Sequence, residues 1–178
     1  MDEVQEKHER WVGETFIKWC NEQHAFVFKG RAGDAPDLVY LNPSGQELRL
    51  EIVTAYYDAE NAKFKWLGAR EVPGAPSRWS GVNCNDALVA SINLVITEKC
   101  NKDYGPGCVL VVCILPELTL AEEMERRLLE VQVPTSSPFE AIYLVGTFGT
   151  AAGGSGYEER VWRLAGKRPG SLLLGCEP

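Results

Sequence analysis

Leu38 and Tyr40, and then Leu48, Leu50 and Ile52, alternate with the residues between them at period two. That is the signature of two half-buried strands. Asn42-Pro43-Ser44-Gly45 between them is turn chemistry, so the segment predicts an antiparallel hairpin. Centring the turn on Ser44 pairs residues whose numbers sum to 88, which sets Asp37 opposite Glu51. Opposed side chains share a face with Cβ atoms about 5 Å apart. Two carboxylates held that way repel unless a cation lies between them or one keeps its proton.

Elsewhere the period is helical. Residues 3–22 predict an amphipathic helix with Val12, Phe16, Trp19 and Cys20 on one side. With Glu9 set at zero and about 100° per residue, Val12, Phe16 and Cys20 fall at about 300°, 340° and 20°. Glu9 therefore sits in the middle of the apolar stripe, where a carboxylate needs a partner, a solvated cleft or a cation. Residues 25–29 predict a short strand, 58–69 a helix capped by Asp58, and 71–81 an exposed Pro/Gly loop. Residues 85–103 predict a long helix with Leu88, Ile92, Val95, Ile96 and Lys99 in helical spacing, closed by Tyr104-Gly105-Pro106-Gly107.

The continuous apolar run 108–115 predicts a central strand covered on both faces. Thr119 and Glu122 have capping-box spacing for a helix over 119–131. Residues 141–145 predict a buried strand and 161–164 an edge strand. The order of elements predicts an α/β protein with a central mixed sheet flanked by helices on both faces, as one domain over residues 1–178. The glycine-rich run 146–156 has neither the Gly-Lys-Ser/Thr ending nor the following helix of a phosphate loop, and predicts a flexible connection.

Composition narrows the chemistry. A net charge of −7 argues against coating nucleic acid by bulk charge, but leaves room for a local basic cleft. Six cysteines show no Cys-x-x-Cys spacing and predict buried free thiols rather than zinc ligands or disulfides. His8 and His24, the only histidines, cannot build a His-rich centre. No apolar run reaches membrane-spanning length and residues 1–20 are not signal-like, so the expected location is the cytoplasm.

Pro36-Asp37, then Glu51-Ile52-Val53, preceded by the helix acid Glu9 28 residues before Asp37, resemble the PD-(D/E)XK nuclease superfamily, the restriction-endonuclease-like fold. The helix 85–103 with Lys99, Lys102 and Tyr104, ahead of the strand at Cys108, also looks like that family's later core. The resemblance covers roughly residues 3–115, leaving 116–178 as C-terminal additions. It implies an endonuclease-like hydrolase of phosphodiester bonds in DNA, ahead of RNA, through Glu9, Asp37 and Glu51. It also implies Mg²⁺ or Mn²⁺ held by Asp37, Glu51 and the Ile52 carbonyl. No membrane partner is implied, and a homodimer is admissible.

One residue departs from the family. Val53 stands where the motif lysine belongs, and that lysine positions or activates the attacking water. In some branches a lysine from another segment substitutes. Lys63 and Lys65 come next in the chain, and Lys65 is the candidate taken for that role. Arg49, on the same strand face as Glu51, is a candidate for holding a carboxylate or phosphate, or for neutralising the acid pair. The alternative function is a catalytically degenerate nuclease fold that binds nucleic acid or protein, with the Trp66 and Trp79 region as contact surface.

Overall fold

A computed structural model describes residues 3–20, 26–31, 35–149 and 157–167. Helix α1 (Glu3–Cys20) leads into strands β1 (Val27–Gly30), β2 (Leu38–Leu41) and β3 (Glu47–Ala55). Helices α2 (Ala59–Ala69) and α3 (Cys84–Cys100) connect β3 to β4 (Cys108–Ile114). Helix α4 (Ala121–Arg127), extended by one 3₁₀ turn, connects β4 to β5 (Ala141–Gly149), which is followed by β6 (Tyr157–Gly166). The six strands form one sheet in chain order. β1, β2 and β3 run antiparallel, β3, β4 and β5 parallel, and β6 antiparallel to β5. The architecture is thus an α/β mixed sheet with helices on both faces.

The alternation along β3 sorts the two layers. Leu48, Leu50 and Ile52 point into a cluster with Val12, Phe16, Ile17 and Cys20 of α1. Val53 and Ala55 point the other way, toward Leu88, Ile92 and Ile96 of α3 and Met124 of α4. β4 contributes to both clusters, which is why all seven of its residues are buried and why it reads as an unbroken apolar run. Gly13 lets α1 approach β2 closely: a Cβ there would lie 2.4 Å from Leu38 Cδ1 and 2.8 Å from the Tyr40 hydroxyl.

The hairpin register is the predicted one. Leu38 pairs with Leu50, Val39 with Arg49, Tyr40 with Leu48 and Leu41 with Glu47. The Asp58 cap also forms, its Oδ1 accepting from the Asn61 amide at 2.6 Å. The capping box at Thr119 does not. α4 begins at Ala121 behind Leu120, without a side-chain cap. Thr119 is buried instead, donating to Asn85 Oδ1 at 2.7 Å and accepting from the Tyr57 hydroxyl at 3.1 Å. A buried hydroxyl left unpaired costs more than a lost exposed cap, so the tertiary network takes it.

The edge strand expected at 161–164 is longer, Tyr157–Gly166, and β5 runs into the glycine-rich segment as far as Gly149. The rest of that segment, with His24 and Cys176, lies outside the described residues. Cys20, Cys108 and Cys113 are buried and Cys84 and Cys100 half-buried, all as free thiols. Among the described residues no helix is long and apolar enough to cross a membrane.

Candidate functional site

Asp37 ends the approach to β2, one residue before the ladder begins. Its Oδ2 accepts a hydrogen bond from the Ile52 amide of β3 at 2.8 Å. Ile52, whose carbonyl is the expected metal donor, is thus tied to Asp37 through its N–H. Glu51 precedes it, on the α3 side of the sheet, and is 4 % exposed. Helix α3 lies over that face and carries Lys99, whose Nζ donates to Glu51 Oε1 at 2.5 Å. The parallel crossover from β3 to β4 requires a helix on the sheet face, and α3 brings its last turn over Glu51.

Lys65 takes no part in this pair. Its ammonium bonds to Glu117, on the α2 side of the loop after β4. The lysine that meets Glu51 is therefore Lys99, from α3, and not the next lysine along the chain. A signal for this existed in the sequence: Lys99 lies on the apolar spacing of α3, as Glu9 does on α1, and a charge on a buried stripe calls for an opposite one.

Tyr104 closes the Lys99 side. Its ring centroid is 5.8 Å from Lys99 Nζ, and it packs on Phe139 with centroids 4.8 Å apart. The turn carrying Tyr104 is tied to β3 by Arg49, which donates to the Pro106 carbonyl at 2.9 Å. Arg49 is thus a clamp on the turn and contacts neither acid by hydrogen bond or ion pair among the described residues.

Glu9 is buried as its helical position predicts, but it approaches from the α1 layer. Both of its oxygens are engaged. Gln5 Nε2 donates to Oε1 at 2.8 Å, and Arg31 donates to Oε2 at 2.6 Å. The same guanidinium lies 3.9 Å from Asp37 Oδ1. Arg31 therefore joins Glu9 to Asp37. It directly follows β1, without periodicity or motif, and nothing in the sequence marks it.

The electrostatics follow from burial and from three acids against two cations. Burial pushes the Asp37 carboxyl up to about 6; the Ile52 amide opposes this, and the nearby charges of Glu51 and Glu9 add to it. Burial alone would lower the Lys99 ammonium, but the Glu51 hydrogen bond and charge outweigh it, so the net shift is upward. Lys99 is a fixed cation at any working pH. The like-charge conflict at the hairpin is thus relieved twice: Glu51 receives an ammonium, and Asp37 leans toward its neutral form.

Among the described residues, Glu51 Oε2 is a buried carboxylate oxygen that makes no hydrogen bond. Carboxylate oxygens from Asp37 and Glu51 are the hard donors that Mg²⁺ and Mn²⁺ take, and a cation would satisfy this oxygen. Among the described residues no three His, Cys, Asp or Glu side chains gather as a metal cage. Further donors would have to be backbone atoms, such as the Ile52 carbonyl, or water.

No protein family, curated protein or solved structure matches the chain.

Proposed function

We propose that the chain is a metal-dependent nuclease of the PD-(D/E)XK type, with a restriction-endonuclease-like core, in which Lys99 takes the place of the motif lysine. The observation that carries this is the Lys99–Glu51 contact at 2.5 Å beside a buried Glu51 oxygen with no partner. It supplies a lysine to a site whose own strand carries Val53.

Asp37 and Glu51, with the Ile52 carbonyl, would hold Mg²⁺ or Mn²⁺, which would lower the pKa of a water and offset phosphodiester charge. Lys99, with its pKa held up by Glu51, cannot serve as a proton acceptor. Its role is to place positive charge next to the phosphoryl oxygens as they gain charge in the transition state. Tyr104, itself packed on Phe139, borders the ammonium on one side and leaves the Lys99 side chain only partly exposed, which strengthens that interaction. Glu9 supports the site through Arg31 and is a positioning residue, not a ligand. DNA remains the proposed polymer ahead of RNA, and the cytoplasm the proposed location.

The test is cleavage of DNA and RNA panels with Mg²⁺ or Mn²⁺, using Asp37→Ala and Glu51→Ala as controls. The wild type should cut only with metal and both variants should be inactive. Cutting by both variants at the wild-type rate sinks the proposal.

A second function, a catalytically degenerate nuclease fold used for binding, draws on a different observation: Arg31 and Lys99 already neutralise Glu9 and Glu51 within the chain. Calorimetry with Mn²⁺ separates the two. A folded protein that takes up no metal at millimolar concentration is the binding module.

A further inference from the structure

β6 ends one side of the sheet and, among the described residues, pairs with β5 alone. It is ten residues long and holds no proline. None of the ten is buried, although Val161 packs on the α1 layer and Trp162 on the α3 layer. The opposite edge, β1, has only four residues. A long edge without proline presents a row of backbone donors and acceptors to another strand. Charge is the usual deterrent to such pairing, and β6 carries Glu158, Glu159, Arg160 and Arg163. Their order decides whether they deter a second copy of the same strand.

Residues opposed across a two-fold axis share a sheet face, so in an antiparallel pair of β6 strands their numbers sum to an even number. A sum of 322 sets Glu159 of each copy opposite Arg163 of the other, with Val161 against Val161 on the axis. On the other face it sets Arg160 opposite Trp162, a cation against an indole. A sum of 318 puts Glu159 against itself, 320 puts Arg160 against itself, and 324 forms no ion pair. The register shift at Ile142 and Tyr143 leaves Tyr157–Arg163 in regular pairing with β5, and residues 159–163 fall inside that stretch.

The charges are available for this role. Arg163 is exposed and, among the described residues, has no acid partner. Glu159 meets Lys18 at 3.4 Å, but that lysine side chain is 80 % exposed and solvent screens the contact. Arg160 bonds along its own strand to Glu158, which holds its guanidinium on the Trp162 face.

We infer that β6 is a self-association edge, on which a second copy of the chain adds its own β6 antiparallel about Val161 and joins two six-stranded sheets into one. Backbone hydrogen bonds supply the attachment, and the two Glu159–Arg163 pairs set its register. The occupant is the chain itself because the charge order of β6 is its own complement. None of these residues belongs to the acid site, so the dimer and the nuclease stand or fall separately.

Sedimentation equilibrium of the full chain is the experiment, with circular dichroism to confirm that each variant is folded. The wild type should populate a dimer at about 100 µM. Arg163→Glu sets acid against acid and Glu159→Arg sets base against base, both at exposed positions. Each should weaken the dimer about tenfold or more, because two ion pairs become two repulsions. The double variant Glu159→Arg/Arg163→Glu restores both pairs with their signs reversed and should dimerise like wild type. An equimolar mixture of the two single variants should form a heterodimer, since each supplies the charge that the other lacks. A wild type that stays monomeric, single variants that associate as tightly as wild type, or a mixture that does not associate overturns the edge. So does open-ended growth past the dimer, which a two-fold contact forbids.

Discussion

Lys99 Nζ and Glu51 Oε1 meet at 2.5 Å although 48 residues separate them in the chain. Removing the ammonium while keeping the volume, as in Lys99→Met, should reduce metal-dependent cleavage by about a hundredfold or more, the scale for losing one preset electrostatic contact to a transition state. Val53 lies on the same strand face as Glu51, two residues on, so a lysine there occupies the position that the motif uses. The double variant Lys99→Met/Val53→Lys should recover part of the lost rate. Single-turnover rates for the two variants and for Lys65→Met decide the matter. A loss in the Lys65 variant and not in the Lys99 variant would return the catalytic role to Lys65.

The Asp37 carboxyl, pushed up to about 6 from 3.8, makes the metal-free protein sensitive to pH with a definite sign. Below about pH 4 the group is protonated in both folded and unfolded chains. Between there and about pH 6 the folded chain keeps a proton that the unfolded chain has lost. Above that the folded chain must ionise a buried group. Stability from this group is therefore present at low pH and falls as pH rises through about 6, by on the order of 3 kcal/mol in full. Asp37→Asn retains an oxygen for the Ile52 amide and avoids the loss. In EDTA its urea midpoint should match wild type near pH 4 and exceed it at pH 8. A wild type that is the more stable of the two at pH 8 would mean that Asp37 is not under strain.

Metal uptake should show the opposite trend, because it needs the ionised carboxylate. Millimolar Mn²⁺ should raise the Tm of the wild type more at pH 8 than at pH 5, and leave that of Asp37→Asn nearly unchanged. Thermal melts at the two pH values measure this directly. Equal shifts in wild type and variant would place the metal elsewhere.

Gly13 is the close-approach point of α1 on β2. Gly13→Ala gains about 1 kcal/mol of helix propensity. It also drives a Cβ to 2.4 Å from Leu38 Cδ1, which is fully buried and cannot yield freely. Overpacking of that kind costs about 1–3 kcal/mol, so the net change should be destabilising. Denaturant unfolding reads the stability. Because the shift pushes α1 off the sheet beside Glu9 and Arg31, cleavage should fall as well, even where the protein remains folded.

What the sequence makes legible is what local periodicity and turn chemistry decide. The register summing to 88 follows from one turn and two alternating strands, and it places Asp37 and Glu51 before any tertiary contact is known. Glu9 is legible as buried because helical geometry alone sets its angle. The identity of its partner is not, because Arg31 follows β1, whose packing against α1 no local pattern decides. Lys99 falls at helical spacing with the apolar residues of α3, but its meeting with Glu51 depends on where the α3 crossover lays its last turn. The Thr119 cap failed for a related reason: Tyr57 and Asn85, distant in sequence, compete for the same hydroxyl.

The two layers of the sheet each bring something that the other lacks. Glu9 comes with α1 on one face, and Lys99 with α3 on the other, while Glu51 stands on β3 between them and Asp37 just ahead of β2. The centre therefore exists only after both helices have docked. A chain that has folded one layer alone has its acids without the ammonium, or the ammonium without the guanidinium that Glu9 holds. Under the proposed function, competence to cut would arrive only with the last docking step.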